Sequence, residues 1–262
     1  MKRLIVNADD FGFTRDVNQG IIQAHRRGIL TATTLMANGA AFDHAVQLAR
    51  ENPALDVGCH LVLVGSPGLP ATLPQLALAL VRRRIEVFPE LERQVERILD
   101  AGIRPTHLDT HKHTHLLPAV LRAVARIAEK FSIPWVRRPF DFPLSASGAG
   151  IRKRAVSASF GLLRRRFERV LAAHHCRTTD YFAGFQITGE YDASDLSRLI
   201  HALPEGTTEL MCHPGLCTAE LQSARTRLKA SREHELQALA SEEVREALAE
   251  SKVQLISYRD LG

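Results

Sequence analysis

The 262-residue chain has few cysteines and no long apolar run. Its four cysteines show neither CxxC spacing nor the density of a secreted disulfide scaffold, so we expect reduced thiols. Between Arg3 and Asp9 the longest apolar run is Leu4 to Val6, which is too short for a signal peptide. No stretch is long enough to span a bilayer. These absences predict a protein of the cytoplasm.

Several signatures of enzyme chemistry are also missing. The chain has no convincing nucleophile elbow, Walker loop or dinucleotide fingerprint, which argues against covalent serine chemistry and nucleotide use. Internal repeats and low-complexity linkers are absent as well. With 45% hydrophobic residues the chain can bury a full core, and we expect residues 1–262 to form one domain.

Short apolar segments alternate with helical patterns, which predicts parallel strands joined by helical crossovers. The predicted strands are Arg3–Asn7, Ala32–Ala37, Asp56–Val62, His107–Thr110, Trp135–Arg138, Gly184–Ile187, Glu209–Cys212 and Gln254–Ser257. The predicted helices lie near Val17–Arg27, Phe42–Glu51, Pro89–Ala101, Pro118–Lys130, Ile151–Ala173, Ala193–His201 and Ser231–Glu250. This order favours an α/β fold, a TIM-like (β/α) barrel of eight strands or a distorted barrel of seven.

Polar residues collect at the ends of these strands, where (β/α) barrels place their active sites. In chain order they are Asp9 and Asp10, Asn38, His60, Asp109 and His111, Arg137 and Arg138, and His213. Because six different strands contribute, the pattern predicts a site at this edge of the barrel.

Asp9 and Asp10 are adjacent carboxylates at the end of a strand that we expect to be buried. Two like charges repel there, so a cation, most simply a metal ion, is expected beside them. The alternate positions from 107 to 115 are His107, Asp109, His111, His113 and His115, and imidazole is the commonest transition-metal ligand. A carboxylate with two histidines leaves coordination positions free for water and substrate. The residues alone leave open which aspartate is the ligand.

Four separated segments resemble, in the same order, the motifs of the YdjC-like carbohydrate deacetylase family. They are Asn7–Gly12, Gly58–Leu61, His107–His115 and Cys212–Gly215, and the match extends from residue 3 to about residue 216. The resemblance implies a (β/α) barrel related to the polysaccharide deacetylases, which removes N-acetyl groups from amino sugars with a divalent metal. Carried over by position, it implies the metal ligands Asp10, His60 and His111, the general base Asp9 and the second catalytic residue His213.

A narrower resemblance, to the hopanoid-biosynthesis-associated branch of the family, lies in Phe182–Gly189 and Leu203–Gly215. It implies the N-acetylglucosaminyl headgroup of a hopanoid glycolipid as substrate. The alternatives are deacetylation of soluble chito-oligosaccharides and a non-catalytic relative that binds sugar or lipid. A two-metal phosphoesterase would need more bridging carboxylates than the chain offers. The single divalent ion is Zn²⁺ by ligand chemistry or Mg²⁺ by family usage.

The chemistry that the resemblance implies assigns a step to each catalytic residue. Asp9 would take a proton from water, and His213 would protonate the leaving amine. Arg137 or Arg138 would orient Asp9 or hold the substrate. Because Pro118 indicates that a helix begins soon after the histidines, not all of them can face the site. The residues expected to contact the substrate are Asn38, His113, His115 and Arg138.

Positive charge is concentrated between Arg137 and Arg177, where ten Lys or Arg residues accompany two acidic ones. Apolar residues from Ile151 to Leu171 recur there at roughly helical spacing. This pattern predicts a basic helical segment around 145–175, either an outer helix with a solvated face or a peripheral contact with anionic lipid at the inner face of the membrane. No nucleic-acid partner is expected, since the chain has no recognition motif.

Overall fold

The computed structural model describes residues 1–142 and 163–262. Its strands are β1 Lys2–Phe11, β2 Ala32–Leu35, β3 Asp56–Leu61, β4 His107–Thr110, β5 Trp135–Val136, β6 Tyr181–Ala183, β7 Gly206–Cys212 and β8 Gln254–Leu255. Its α-helices are α1 Arg15–Arg27, α2 Phe42–Glu51, α3 Leu73–Val81, α4 Val87–Asp100, α5 Pro118–Phe131, α6 Arg164–Ala173, α7 Ala193–His201, α8 Ala219–Ser223, α9 Ala230–Leu239 and α10 Glu242–Glu250. Two 3₁₀ segments are His111–Leu116 and Tyr258–Leu261.

The strands form one parallel sheet in the order β5-β4-β3-β2-β1-β7-β6, with β8 paired to the first residues of β1. The two edges of this path are joined where the backbone N–H of Phe142 donates to the carbonyl oxygen of Phe182 at 2.9 Å. Bridges from Asp141 to Phe182 and from Trp135 to Arg177 make the same link. The sheet is therefore curled, which confirms the predicted parallel α/β barrel in its distorted form, with seven strands along the path.

The burial of successive residues in the central strand β1 shows that both faces of the sheet are covered. Leu4, Ile5, Val6 and Ala8 are all buried, although successive residues of a strand point to opposite faces. Such a continuous apolar run is typical of a parallel strand covered on both faces, as in a barrel, where helices cover the outside and side chains fill the interior. Burial of each large side chain contributes roughly 1.5–3 kcal/mol, so β1 anchors the core behind the residues at its end.

The strand predicted at Gly184–Ile187 is wrong, because the chain turns there. β6 lies just before it, at Tyr181–Ala183. Gly184 has a φ of +132°, and its backbone packs so closely that an added Cβ would lie 2.6 Å from the carbonyl oxygen of Met211. The N–H of Thr188 then donates to the carbonyl oxygen of Gly184 at 2.9 Å, which closes a turn instead of extending the strand.

The predicted helices also need correction at two places. Ser231–Glu250 is broken between α9 and α10, where the Ser241 side chain caps α10 by accepting from the N–H of Val244. Helix α3 was not predicted, although a capping box of Thr72 and Gln75 marks its start. Of the predicted helix Ile151–Ala173, and of the basic segment 145–175, residues up to 162 lie outside the described part.

Helix α6 is the described part of that basic segment. Its apolar residues Phe167 and Leu171 are buried, whereas Arg164, Arg165 and Arg166 are exposed. Within the described residues, no helix has the length and apolar character that a bilayer span requires. The four cysteines are free thiols.

Candidate active site

The end of β1 sends its two adjacent carboxylates in different directions. Pairing between β1 and β2 shifts register between Ala8 and Phe11, and Asp10 has a φ of +69°. A positive φ is unfavourable for a residue other than glycine, and such strain is concentrated at functional sites. The consequence is that Asp9 contacts Arg137, whereas Asp10 faces His60 and His111.

Three donor atoms from the ends of β1, β3 and β4 converge on one point. Oδ1 of Asp10 lies 3.4 Å from Nε2 of His60 and 3.2 Å from Nδ1 of His111, and the two nitrogens are 3.3 Å apart. Ligands at about 2.0–2.1 Å from a tetrahedral ion are roughly 3.3–3.4 Å from one another. Oδ1 of Asp10 is also buried without a hydrogen bond of regular geometry. These residues therefore fit a divalent metal ion.

Asp109 holds His60 in the orientation that this cluster requires. Nδ1 of His60 lies 2.7 Å from Oδ1 of Asp109, and the Thr34 hydroxyl donates to the other oxygen at 3.1 Å. A proton on Nδ1 leaves the lone pair of Nε2 directed at the cluster, as in many carboxylate–histidine metal ligands. Burial lowers the pKa of His60, but Asp109 and Asp10 outweigh it and raise that pKa to about 10. The surrounding carboxylates thus favour a positive charge here.

Arg137 is fully buried and fixes Asp9 through two parallel hydrogen bonds. Nη1 and Nη2 donate to Oδ2 and Oδ1 of Asp9 at 2.8 and 2.7 Å. The same guanidinium pairs with Asp109 and donates from Nε to Glu209 at 2.8 Å. Burial by itself raises the pKa of Asp9, but the charge of Arg137 more than offsets this and holds the pKa well below its usual range. Asp9 is therefore an ionised, oriented carboxylate.

This pairing separates two possible metal clusters. Asp9, His60 and Asp109 also bring three possible ligand atoms together, besides the Asp10, His60 and His111 set. In the first set both carboxylates are occupied by the Arg137 guanidinium. In the second set Oδ1 of Asp10 is free of arginine contacts. The geometry therefore favours Asp10 as ligand, a choice that the residues alone left open.

His213, after β7, lies on the other side of Asp9. Its Nε2 is 3.8 Å from Oδ2 of Asp9, and its backbone N–H donates to Oε2 of Glu235 at 2.6 Å. Burial lowers the pKa of His213, although Glu235 and Asp9 act against that shift. Burial thus favours the neutral imidazole, and His213 lies close enough to Asp9 to exchange a proton after a small movement.

Arg232, on α9, is a site residue that the sequence did not indicate. It is buried and donates from Nη2 to Oδ2 of Asp10, and its Nη1 has no partner among the described residues. Burial raises the pKa of Asp10, but Arg232 reverses that effect and lowers it well below the usual value. No sequence signal identifies Arg232, because it comes from a helix more than two hundred residues away from Asp10.

These groups lie in a cavity of about 1150 Å³ at the C-terminal ends of the strands. Asp9, Asp10, His111 and His213 line it, and His60 lies buried beneath. A cavity of this size accommodates a ligand larger than a monosaccharide. Of the residues expected to contact substrate, Asn38 and His113 are part of the lining.

His115 and Arg138 do not line this cavity. The 3₁₀ segment after β4 has positive φ at Lys112 and His113, which ends the extended pattern that would align alternate histidines. His115 is instead fully buried and lies 3.1 Å from the carbonyl oxygen of Arg137. Arg138 is directed to the carbonyl oxygen of Asp180, in a separate polar pocket. Neither residue is placed to touch a substrate at the cluster.

Comparison with known proteins identifies relatives of this chain. The profile of the YdjC-like protein family matches residues 3–250. The chain is 32% identical to the carbohydrate deacetylase of Brevibacillus brevis over 99% of this chain and 100% of that protein. It is 35% identical to the carbohydrate deacetylase of Geobacillus stearothermophilus over 98% and 96% of the two chains.

A solved structure from Enterococcus faecalis V583, to which cellobiose-phosphate cleavage is ascribed, superimposes with a TM-score of 0.76 at 29% identity. The alignment covers 100% of this chain and 99% of that one. The fold, length and sequence of this chain therefore agree with those of these relatives along its whole length. The protein belongs to the YdjC-like family.

Proposed function

We propose that this protein is a metal-dependent carbohydrate deacetylase, which hydrolyses the N-acetyl group of an amino sugar. The observation that carries the proposal is the convergence of Asp10, His60 and His111 beside the arginine-bound carboxylate of Asp9. The deacetylases of Brevibacillus brevis and Geobacillus stearothermophilus, which match nearly the whole chain, support the same reaction class. Two imidazoles among the ligands favour Zn²⁺, and Mg²⁺ is the alternative.

Asp10, His60 and His111 would hold the ion, which when bound polarises an amide carbonyl and lowers the pKa of water. Asp9 has the position and charge of the group that takes the proton from this water. Its two hydrogen bonds to Arg137 fix its orientation, and its low pKa keeps it ionised at neutral pH. Attack of the water oxygen on the carbonyl carbon then needs no further base.

Departure of the sugar amine requires a proton on nitrogen, since an amide anion is a very poor leaving group. His213 is suited to deliver it. Burial favours the neutral form of His213, so we infer that it takes its proton during turnover from Asp9, whose Oδ2 lies 3.8 Å from its Nε2. The water proton thus passes from Asp9 to His213 to the amine as the C–N bond breaks, which yields acetate and the free amino sugar.

For the sugar's attachment we propose the headgroup of a hopanoid glycolipid, met at the cytoplasmic face of the membrane. The segments Phe182–Gly189 and Leu203–Gly215 support this assignment by resemblance. The cavity lining supports it physically, since it combines the polar cluster with the apolar side chains of Phe13, Val64 and Phe185. Soluble chito-oligosaccharides are the second candidate, because Asn38 and His113 offer polar contacts to a sugar.

The test is release of acetate from a soluble N-acetylglucosamine oligomer and from an N-acetylglucosaminyl glycolipid, each with and without chelator. We expect turnover that chelator abolishes and that added Zn²⁺ or Mg²⁺ restores. The exposed His234, on the same helix as Arg232, provides a matched histidine control, and His234→Ala should retain full activity. Tight sugar binding without acetate release would instead favour a non-catalytic relative.

A further inference from the structure

Helix α3 is apolar on the side that faces solvent. Leu73, Leu78 and Val81 are 42%, 48% and 82% exposed, and only Leu76 is buried. At about 100° per residue the exposed apolar positions fall on one stripe. They are Leu73, Pro74, Ala77, Leu78 and Val81. An exposed helix face normally carries charges, so this stripe is a surface without a partner among the described residues.

The helix is well formed rather than a loose loop. Thr72 and Gln75 make a capping box, and Pro74 occupies the first turn, where proline is favoured. Three of the seven exposed large hydrophobic side chains in the described part of the chain lie on this one helix. The exposure is therefore a property of an ordered element.

Three arginines follow the helix directly. Arg82, Arg83 and Arg84 are all exposed, and none of their side chains makes a hydrogen bond or ion pair with a described residue. Other surface arginines do find partners, as Arg93 does with Glu90. Between residues 62 and 89 the only acidic residue is Glu86. An apolar stripe thus ends in a cluster of uncompensated positive charge.

This surface adjoins the active-site cavity. Leu73 and the preceding loop residues Gly65 to Pro67 form part of the cavity wall. Other parts of the lining carry the cations Lys112, Arg225 and Arg227, which are all exposed. The cavity therefore borders an apolar helix, and exposed positive charges form other parts of its wall.

We propose that helix α3 and Arg82–Arg84 form the docking surface by which the protein binds an anionic lipid bilayer. The apolar stripe enters the boundary between headgroups and acyl chains, and the arginines pair with anionic headgroups. Self-association through the same face is disfavoured, because a two-fold contact would bring six arginines together. Docking in this way places the cavity entrance at the lipid surface.

The docking surface deepens the proposed function, because it locates where the enzyme would meet an amino sugar attached to a lipid. Only this link to the substrate rests on the proposed function.

Helix α6 offers a contrasting surface. It also has three exposed arginines, Arg164 to Arg166, but its apolar residues Phe167 and Leu171 are buried in the protein. Among the described residues there, Leu163 at 39% is the one exposed large hydrophobic side chain, so a bilayer contact at α6 would have a smaller apolar contribution than one at α3.

The experiment is vesicle flotation of the full chain with phosphatidylcholine alone and with phosphatidylcholine containing phosphatidylglycerol. We expect binding to the anionic vesicles that weakens as salt is raised. The double variant Leu78→Gln with Val81→Gln, and the triple variant Arg82→Gln, Arg83→Gln and Arg84→Gln, should each lose about 10- to 100-fold in partitioning. The matched control, Arg164→Gln with Arg165→Gln and Arg166→Gln, makes the same charge change at α6 and should bind like the wild type.

Acetate release from a soluble substrate is measured in parallel and should be unchanged in all these variants, since none of the altered residues lines the cavity. Undiminished binding in both α3 variants, or loss only in the α6 control, would overturn the docking surface. The docking surface would also be overturned if the protein did not bind vesicles and light scattering showed a dimer that Leu78→Gln with Val81→Gln abolishes. Vesicle binding without any acetate release would instead contradict the proposed function and leave the docking surface standing.

Discussion

Both carboxylate oxygens of Asp9 accept hydrogen bonds from Arg137, at 2.7 and 2.8 Å, whereas Oδ1 of the adjacent Asp10 faces two histidines. Arg137 is separated from Asp9 by 128 residues in sequence, and it comes to lie there because β5 ends at the same edge of the sheet as β1. The two neighbouring aspartates thus have different surroundings, and in the proposed mechanism Asp9 is the proton acceptor and Asp10 a metal ligand.

Exchange of each aspartate tests this division. Asp9→Asn keeps the shape of the side chain but cannot take the water proton, so kcat should fall by about 10²- to 10⁴-fold while metal content stays near that of the wild type. Asp10→Asn should lose the metal instead. Both variants are assayed for acetate release and for bound metal by elemental analysis, and the opposite pattern would reverse the two roles.

Each histidine of the cluster should be needed for metal retention. His60→Ala or His111→Ala leaves two protein ligands, and we expect the metal to be lost on dialysis. His234→Ala, which alters an exposed histidine, serves as the control. A variant that keeps a full equivalent of metal would show that its histidine is not a ligand.

Arg232 and Asp10 form a buried ion pair. Arg232 should contribute most to stability when no metal is bound. Arg232→Met leaves the Asp10 carboxylate without its guanidinium, and breaking such a pair costs about 3–5 kcal/mol. A bound cation would compensate part of that loss, so metal should stabilise the variant more than the wild type. Urea unfolding with and without metal measures both differences, and equal stabilisation would contradict the coupling.

Replacement of His213 should slow hydrolysis most for substrates whose leaving group must be protonated. In His213→Gln we expect hydrolysis of an N-acetyl substrate to fall by about 10²- to 10⁴-fold. An activated acetyl ester, such as p-nitrophenyl acetate, releases a stable anion and should be affected much less. Equal losses on both substrates would point to a structural role for His213.

Asp141 is expected to make stability depend on pH. Burial raises its pKa from 3.8 to about 6, despite hydrogen bonds from the N–H groups of Gln186 and Phe185. A folded-state pKa above the unfolded value means that its stabilising contribution is complete below pH 4 and is lost as pH rises through 6. Because the side chain is partly exposed, we expect the free energy of unfolding to fall by roughly 1–2 kcal/mol. The full pKa shift would correspond to about 3 kcal/mol.

The check is urea unfolding of the wild type and Asp141→Asn between pH 4 and pH 8. The variant cannot ionise, so its stability relative to the wild type should rise over this interval. A constant difference across the range would mean that Asp141 has an ordinary pKa.

Local patterns in the sequence were sufficient to predict the fold and the edge of the sheet at which the candidate site lies. The apolar run of β1 and the alternation of strands with helices predicted a parallel barrel, since such strands are covered on both faces. Polar residues at the strand ends, among them Asp10, His60 and His111, follow from the same alternation, because parallel strands end on one side. Where local geometry decided, as at Gly184, the predicted strand was wrong.

The tertiary structure alone decided what each polar group contacts. A positive φ at Asp10 turns it away from Asp9, and positive φ at Lys112 and His113 leaves His113 in the cavity and His115 behind it. Arg232 reaches Asp10 from a distant helix. Hydrogen bonds and ion pairs act over a few ångströms in space, whatever the separation along the chain. A linear pattern could therefore indicate many of the polar groups at this edge of the sheet, but it missed Arg232 and could not assign the partners or the charge of the others.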